Sequence, residues 1–290
     1  MTVLKSIEQC RKISSGCYAI PRYYTEIGDN AFSDSTELLK IILPNTLTRI
    51  GAGAFRNCVG LQTITLSDSV ETIEKAAFAN CHKLERVEVD DSVTKLARLP
   101  KQITEIADES FTGCDSLQEI SLSNNVKRIG AGAFNGCGNL KTIKLPNSVE
   151  VIGRSAFEKC SSLTSIEIPN SVMTIESSAF KACNHIVTIR ISHSITKIEL
   201  ETFASCRAVR SIVIPGSVTK IARWAFASCS NLTRIEIPQS VIAIDPTAFD
   251  GCDDRRNIPA PGLKLPAIIT PKGSYAWRFA EENKISHAEP

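Results

Sequence analysis

The sequence has little of what marks catalysis, metal binding or a membrane span. It holds only four histidines in 290 residues, and His82, His185, His193 and His287 fall at unrelated places. Neither a Cys-x-x-Cys pair nor a His-Glu-x-x-His motif occurs, so no metal site is expected from spacing. Gly51-Ala-Gly53 and Gly130-Ala-Gly132 mimic part of a nucleotide-binding loop, but the third glycine is absent from its place. Asn231-Leu232-Thr233 fits a glycosylation acceptor, yet Leu232 falls on a core position, which argues against that use. No nucleophile–base pair can be assembled, so an enzyme and a cofactor are not expected. No run approaches the ~18 consecutive apolar residues of a membrane helix. Lysine and arginine number 33 against 31 acidic residues, and the two signs are interspersed. A net charge of +2 without a basic stripe gives no case for nucleic acid. The first ten residues lack the apolar core of a secretion signal. If Met1 is the natural start, a cytoplasmic protein is the simplest reading; if it is not, a leader has room to precede it.

What the sequence does have is a repeat. Phe32, Phe55, Phe78, Phe111, Phe134, Phe157, Phe180, Phe203, Phe226 and Phe249 are spaced by 23 residues, except for a step of 33 between Phe78 and Phe111. Counting from each phenylalanine, apolar residues recur at +6, +9, +11, +15 and +18, as in Leu140, Ile143, Leu145, Val149 and Ile152. The spacing of two with β-branched residues predicts a strand. Proline at +12, as in Pro146 and Pro169, closes it, and an Asn-Ser pair turns the chain. Ser-Val-x-x-Ile supplies a second short strand, and Gly-x-x-Ala-Phe-x-x-Cys, with apolar residues three apart, reads as a helical turn. No coil can bury its inward row alone, so the coils must stack into a solenoid.

Nine of the eleven cysteines (Cys58, Cys81, Cys114, Cys137, Cys160, Cys183, Cys206, Cys229 and Cys252) sit three residues after a repeat phenylalanine. One thiol per coil reads as a ladder of small buried groups, each beside a backbone carbonyl. The odd number favours reduced thiols. Cys10 and Cys17 lie outside the ladder and are free to pair with each other.

Residues 1–27 form an N-terminal cap with a partial repeat, opened by a short helical lead-in with Leu4 and Ile7 on one side. The repeats occupy 28–257, with a ten-residue insertion near 94–103 that either bulges as a loop or adds a half-coil. Residues 258–290 form a C-terminal cap. There the pattern breaks at Arg255, Leu265 to Thr270 make a closing strand, and Ser274 caps a helix over the last coil.

The Leu-x-x-Ile-x-Leu core, as in Leu140-Lys-Thr-Ile143-Lys-Leu145, joins Pro-x-Ser-Val-x-x-Ile-Gly-x-x-Ala-Phe-x-x-Cys at a period of 23. This resembles the BspA-like, Treponema pallidum-type leucine-rich-repeat family over roughly Ile20 to Cys252. The resemblance implies a right-handed, curved α/β-type solenoid with a parallel sheet on its inner face and short strands or helical turns outside. It also implies non-catalytic roles: protein–protein recognition and adhesion to host-cell or matrix proteins, often in exported proteins. The insertion and the absent export signal depart from the family.

Strand alternation leaves the residues flanking each repeat isoleucine facing outward. Thr65, Arg86, Glu88, Glu119, Ser121, Lys144, Glu167, Arg190, Val213, Arg234 and Glu236 are the candidate partner-binding residues. Hydroxyls and charges alternate there without aromatic anchors, which predicts modest affinity. A protein partner on this face is the expected function, and a structural or self-associating scaffold, a homo-oligomer, is the alternative.

Overall fold

The computed structural model describes residues 1–91, 94–96, 99–252 and 266–290. It divides into two units, Met1–Val149 and Glu150–Pro290. Each unit is a stack of coils with parallel sheets, a β-solenoid.

In the first unit the main sheet runs through Cys17–Ala19, Lys40–Ile42, Thr63–Leu66 and Arg86–Asp91, all parallel. Its strands alternate: Ile41 and Ile64 are buried, while Lys40, Ile42 and Thr65 are exposed. A second sheet is built from Val3–Leu4, Glu26–Ile27, Arg49–Ile50 and Thr72–Ile73, also parallel. Glu105–Ile106 and Arg128–Ile129 pair in the same way.

In the second unit Ser165–Glu167 pairs with Thr188–Arg190 on the main side. Ser211–Val213, Arg234–Glu236, Ala267–Ile269 and His287–Ala288 follow in parallel register. Val151–Ile152 pairs with Thr174–Ile175, and Lys197–Ile198 with Lys220–Ile221 and Ala243–Ile244. Helix α1 (Tyr275–Glu282) packs on the end of this unit and buries Ala276, Phe279 and Ala280. The Ser274 hydroxyl accepts from the Trp277 amide at 3.1 Å and so caps its start.

A third wall holds the phenylalanines. Neighbouring rings lie nearly parallel, 4.9 to 5.5 Å apart from Phe32 to Phe134 in the first unit. In the second unit the spacing is 5.3 to 5.8 Å from Phe157 to Phe249. Parallel planes at these centroid distances are offset stacks, the arrangement that ring quadrupoles favour. This wall is not the helical turn that the apolar spacing predicts. From Phe32 to Phe226 the residues two before and two after each phenylalanine take left-handed φ, for example Asn30 (55°) and Asp34 (62°). Such residues stop a helix from propagating. Instead, alternate amides point at the next coil: Asn30 to Ala52 O, Phe32 to Ala54 O and Asp34 to Arg56 O, at 2.8–2.9 Å.

Within each unit the thiols form the expected ladder: Cys58, Cys81, Cys114 and Cys137 in the first, and Cys183, Cys206, Cys229 and Cys252 in the second, donate to the carbonyl of the preceding coil's phenylalanine. Cys58 reaches Phe32 O at 3.1 Å, and Cys206 reaches Phe180 O at 3.3 Å. None of the eleven cysteines is joined in a disulfide. Cys10 and Cys17 are not positioned to pair. The hairpin register sets Ser14 opposite Cys17 and Arg11 opposite Ala19, so Cys10 lies several residues along the strand from Cys17. At about 3.3 Å per strand residue this exceeds the Cα separation that a disulfide spans.

The amino terminus also departs from the helical lead-in. Val3–Leu4 is a strand paired with Glu26–Ile27, a 3₁₀ turn covers Ile7–Gln9, and Arg11–Ser14 is an antiparallel edge strand. Leu4 is fully buried as the first rung of the second sheet, and completing that stack outweighs one turn of helix.

The inserted chain lies at the main-sheet corner. Thr94–Leu96 folds back antiparallel on Arg86–Asp91, with Leu96 opposite Val89. By Leu99 the chain is back in repeat register, and Ile103 and Ile106 occupy ordinary buried positions. The expected insertion near 94–103 falls partly on residues 97 and 98, outside the described residues, as do Ser92 and Val93. The break at Arg255, the 257/258 boundary and Leu265 are outside them too.

Candidate protein-interaction face

The outward residues of the main sheet are set by the pleat, because the repeat isoleucine of each strand (Val87 in one) turns inward and its two neighbours turn out. In the first unit Thr65 and Arg86 are exposed, Glu88 is half-buried, and the register sets Thr65 beside Glu88 and Thr63 beside Arg86. Glu119, Ser121 and Lys144 are exposed, and Glu119 pairs with Thr142 through a single bridge.

Period counting places Glu88 and Ser121 on adjacent rungs, but they are not partners. The free side of Arg86–Asp91 is taken by Thr94–Leu96, and the Ser121 carbonyl accepts instead from the Leu99 amide at 2.9 Å. The hairpin therefore splits the row of the first unit into two groups.

In the second unit Glu167 and Arg190 are register partners, and their ion pair measures 3.0 Å. Both side chains are more than 70% exposed, at 72% and 74%. Val213 is 59% exposed beside Glu236, and Arg234 reaches Glu236 on its own strand at 2.8 Å. Exposed pairs of this kind contribute at most about 1 kcal/mol, so these charges are held loosely and are free to exchange partners. The row continues past the candidates, since Ile269 lies beside Glu236 and Ala267 beside Arg234.

Other candidate chemistry resolves into packing. His82 meets Asp115 at 2.8 Å on the surface, and the His287 ring lies edge-on to Trp277 at 4.5 Å. Among the described residues no group of three potential metal ligands forms. A Cβ on Gly51 would stand 2.4 Å from Asp29 Oδ1 and 2.8 Å from the Gly28 backbone, so Gly51 is there for close approach between coils. Leu232 is buried, while Asn231 and Thr233 bond to the Arg207 and Arg210 carbonyls. Burial pushes the Cys58 and Cys206 thiols up to about 12, which keeps them protonated and poor nucleophiles.

Periodicity centred on the main strand misses a charged cluster on the second sheet. Arg49 binds Glu74 at 2.7 Å and Asp29 at 2.8 Å, with Glu26 at 3.5 Å. The carboxylates push its pKa upward, the Glu74 hydrogen bond most of all. The signal for it is in the sequence, because Glu26 and Arg49 each precede a repeat isoleucine at the 23-residue interval.

Comparison with known proteins fits this geometry. A family model described as the BspA type leucine rich repeat region, in six copies, matches residues 6–98, 94–210 and 196–269. The chain is similar to a leucine rich cell surface protein from Faecalibacterium prausnitzii, at 28% identity and a TM-score of 0.50, covering 99% of this chain and 86% of that one. It is also similar to the T. pallidum leucine rich repeat protein, at 24% identity and a TM-score of 0.52, covering 78% and 91%. The pneumococcal vaccine antigen PcpA shares the fold at 16% identity and a TM-score of 0.58, covering 100% and 85%. No curated protein matches the chain.

Proposed function

The chain belongs to the BspA type leucine rich repeat family, and from that membership we propose that it is a non-enzymatic recognition module which holds a protein partner on its main-sheet rows. The observation that carries this reading is the division of labour along each strand. Inward residues such as Ile166 and Ile189 are buried and specify the fold, while Glu167 and Arg190 stand free of it. Substituting the outward row therefore leaves the core intact, as a changeable binding surface requires.

The Faecalibacterium relative, a cell surface protein, supports a surface setting, with adhesion to host-cell or matrix proteins as the role. Thr65, Arg86 and Glu88 form one contact group, and Glu119, Ser121 and Lys144 another. Glu167, Arg190, Val213, Arg234 and Glu236 form that of the second unit. No aromatic side chain stands among these residues, so affinity comes from many modest contacts.

The test is binding of the chain to a panel of immobilised matrix glycoproteins and to cultured cells. Joint substitution Arg190→Ala and Glu167→Ala should lower binding at least tenfold while the melting temperature stays unchanged. Unaltered binding by a folded double variant would overturn the assignment of this face.

A further inference from the structure

The outward column of the second sheet is built differently in the two units. In the first, opposite charges meet across the register, Glu26 beside Arg49 and Glu105 beside Arg128. Those arginines are further held by Glu74 and Asp108. In the second unit the register sets Lys197 directly beside Lys220. Like charges on neighbouring strands repel and add nothing to the fold. Both lysines are exposed, and among the described residues neither has an ion-pair partner.

A second departure lies at the same corner, three residues beyond Lys220. The Arg223 guanidinium carbon lies 3.7 Å from the centre of the Trp224 ring. Trp224 has a φ of 55°, in a column where the preceding coils of this unit place Ser155, Ser178 and Glu201. Left-handed backbone suits glycine and asparagine and disfavours a bulky side chain. The indole is only half-buried, so the coil does not need it for its core.

The surrounding charge is also sorted. Lys197, Lys220 and Arg223 are exposed, whereas Glu199, Glu201 and Asp245 are half-buried. Glu201 already binds Lys181 at 2.7 Å and Ser178 at 3.1 Å. Asp245 accepts from the amide and hydroxyl of Thr247 at 2.9 and 2.6 Å, and the nearby charges of Arg223 and Lys220 also help hold its pKa down, so it offsets part of the positive charge there. Solvent therefore meets cations around an aromatic ring.

We propose that Lys197, Lys220, Arg223 and Trp224 form a docking site for an acidic protein segment, a contact surface additional to the main sheet. Carboxylates of the segment lie over the lysine pair and relieve its repulsion, and an apolar side chain between them rests on the indole. Tryptophan and arginine are residue types that dominate the energetics of protein interfaces. The alternation of charge and apolar contact matches a peptide better than a uniformly charged surface. The site does not depend on the main-sheet reading, and its test leaves the main-sheet residues unchanged.

The experiment uses the full chain carrying Trp277→Phe, so that Trp224 is the sole remaining indole of the two. A synthetic peptide alternating glutamate and leucine is titrated, with heparin and phosphatidylserine vesicles in parallel, and indole emission is followed. A saturable blue shift with the peptide is expected, and added salt or joint Lys197→Gln and Lys220→Gln should weaken it at least tenfold. In a second arm Trp224→Asn, followed with a dye-labelled peptide, should keep or raise the melting temperature while binding falls at least tenfold. The proposal is overturned if the peptide gives no saturable change. It is overturned equally if heparin or vesicles bind more tightly, or if Trp224→Asn lowers the melting temperature with peptide binding unchanged.

Discussion

Replacing Phe55 with alanine should cost measurably more than replacing Phe32, although the two side chains are buried alike, at 0% and 1% exposure. Emptying either site removes a full aromatic side chain from a close-packed interior, about 3–5 kcal/mol. The difference between them lies in their neighbours. Phe55 stacks on Phe32 at 4.9 Å and on Phe78 at 5.3 Å, whereas Phe32 has only the first of these contacts among the described residues. One stacked pair contributes about 0.5–1.5 kcal/mol beyond its area, so that is the expected gap between the variants. Urea unfolding followed by circular dichroism measures the totals. Because repeat arrays unfold with nearest-neighbour coupling, amide exchange at Phe55 and Cys58 should locate the loss. A loss at Phe55 below about 1 kcal/mol, against the cavity range, would refute the account of the wall as packed core. Equal losses at both sites would refute the contribution of stacking.

Two further outcomes follow from the thiols and the cap. Burial raises Cys58 and Cys206 from the ordinary thiol value of 9.0 to about 12. Their contribution is complete below pH 9.0 and lost as pH rises toward 12, at about 1.4 kcal/mol per pH unit for each thiol. Melting temperature should therefore fall steeply above pH 9.0, and Cys58→Ala with Cys206→Ala should flatten that fall; an unchanged slope counts against it. Ser274→Ala should cost about 1 kcal/mol and raise deuterium uptake across Tyr275–Glu282, with Ser274→Asp restoring protection. Uptake unchanged in the alanine variant would show that the cap is dispensable.

The fold is legible in the sequence because burial is written in side-chain identity. Phe157, Cys160, Leu163 and Ile166 each had an inward place from spacing alone, and each is buried in the structure. The Phe turns are less legible, because Asn30, Ala76, Glu109 and Trp224 all adopt left-handed φ without a common residue type to announce it. The requirement is imposed by the adjoining coil's hydrogen bonds, which local propensity does not encode. Where the inserted chain rejoins the repeat is hard to read for a related reason. Leu96 and Leu99 both suit the strand-end position, and only pairing distinguishes the residue that continues the repeat. The candidate face was readable as an outward row, since alternation needs no tertiary information. Its division at Glu88 and the self-pairing of Arg190 with Glu167 depend on contacts between coils and were not.

The inserted hairpin also bears on how such a chain can change length. Around it the main-sheet ladder is diverted, yet Phe78 still stacks on Phe111 at 5.5 Å and its amide still meets Ser110 O at 2.8 Å. Extra chain extruded at that corner leaves the aromatic wall undisturbed. Elsewhere three walls keep step at one 23-residue interval, as the Phe32, Cys58 and Ile27 positions show. Loss of a single residue between walls would dislocate at least one of them from every coil beyond it. Inheritable growth or shrinkage is thereby quantised: whole coils can be duplicated or deleted, loops can lengthen at a corner, and intermediate changes are selected against by geometry alone.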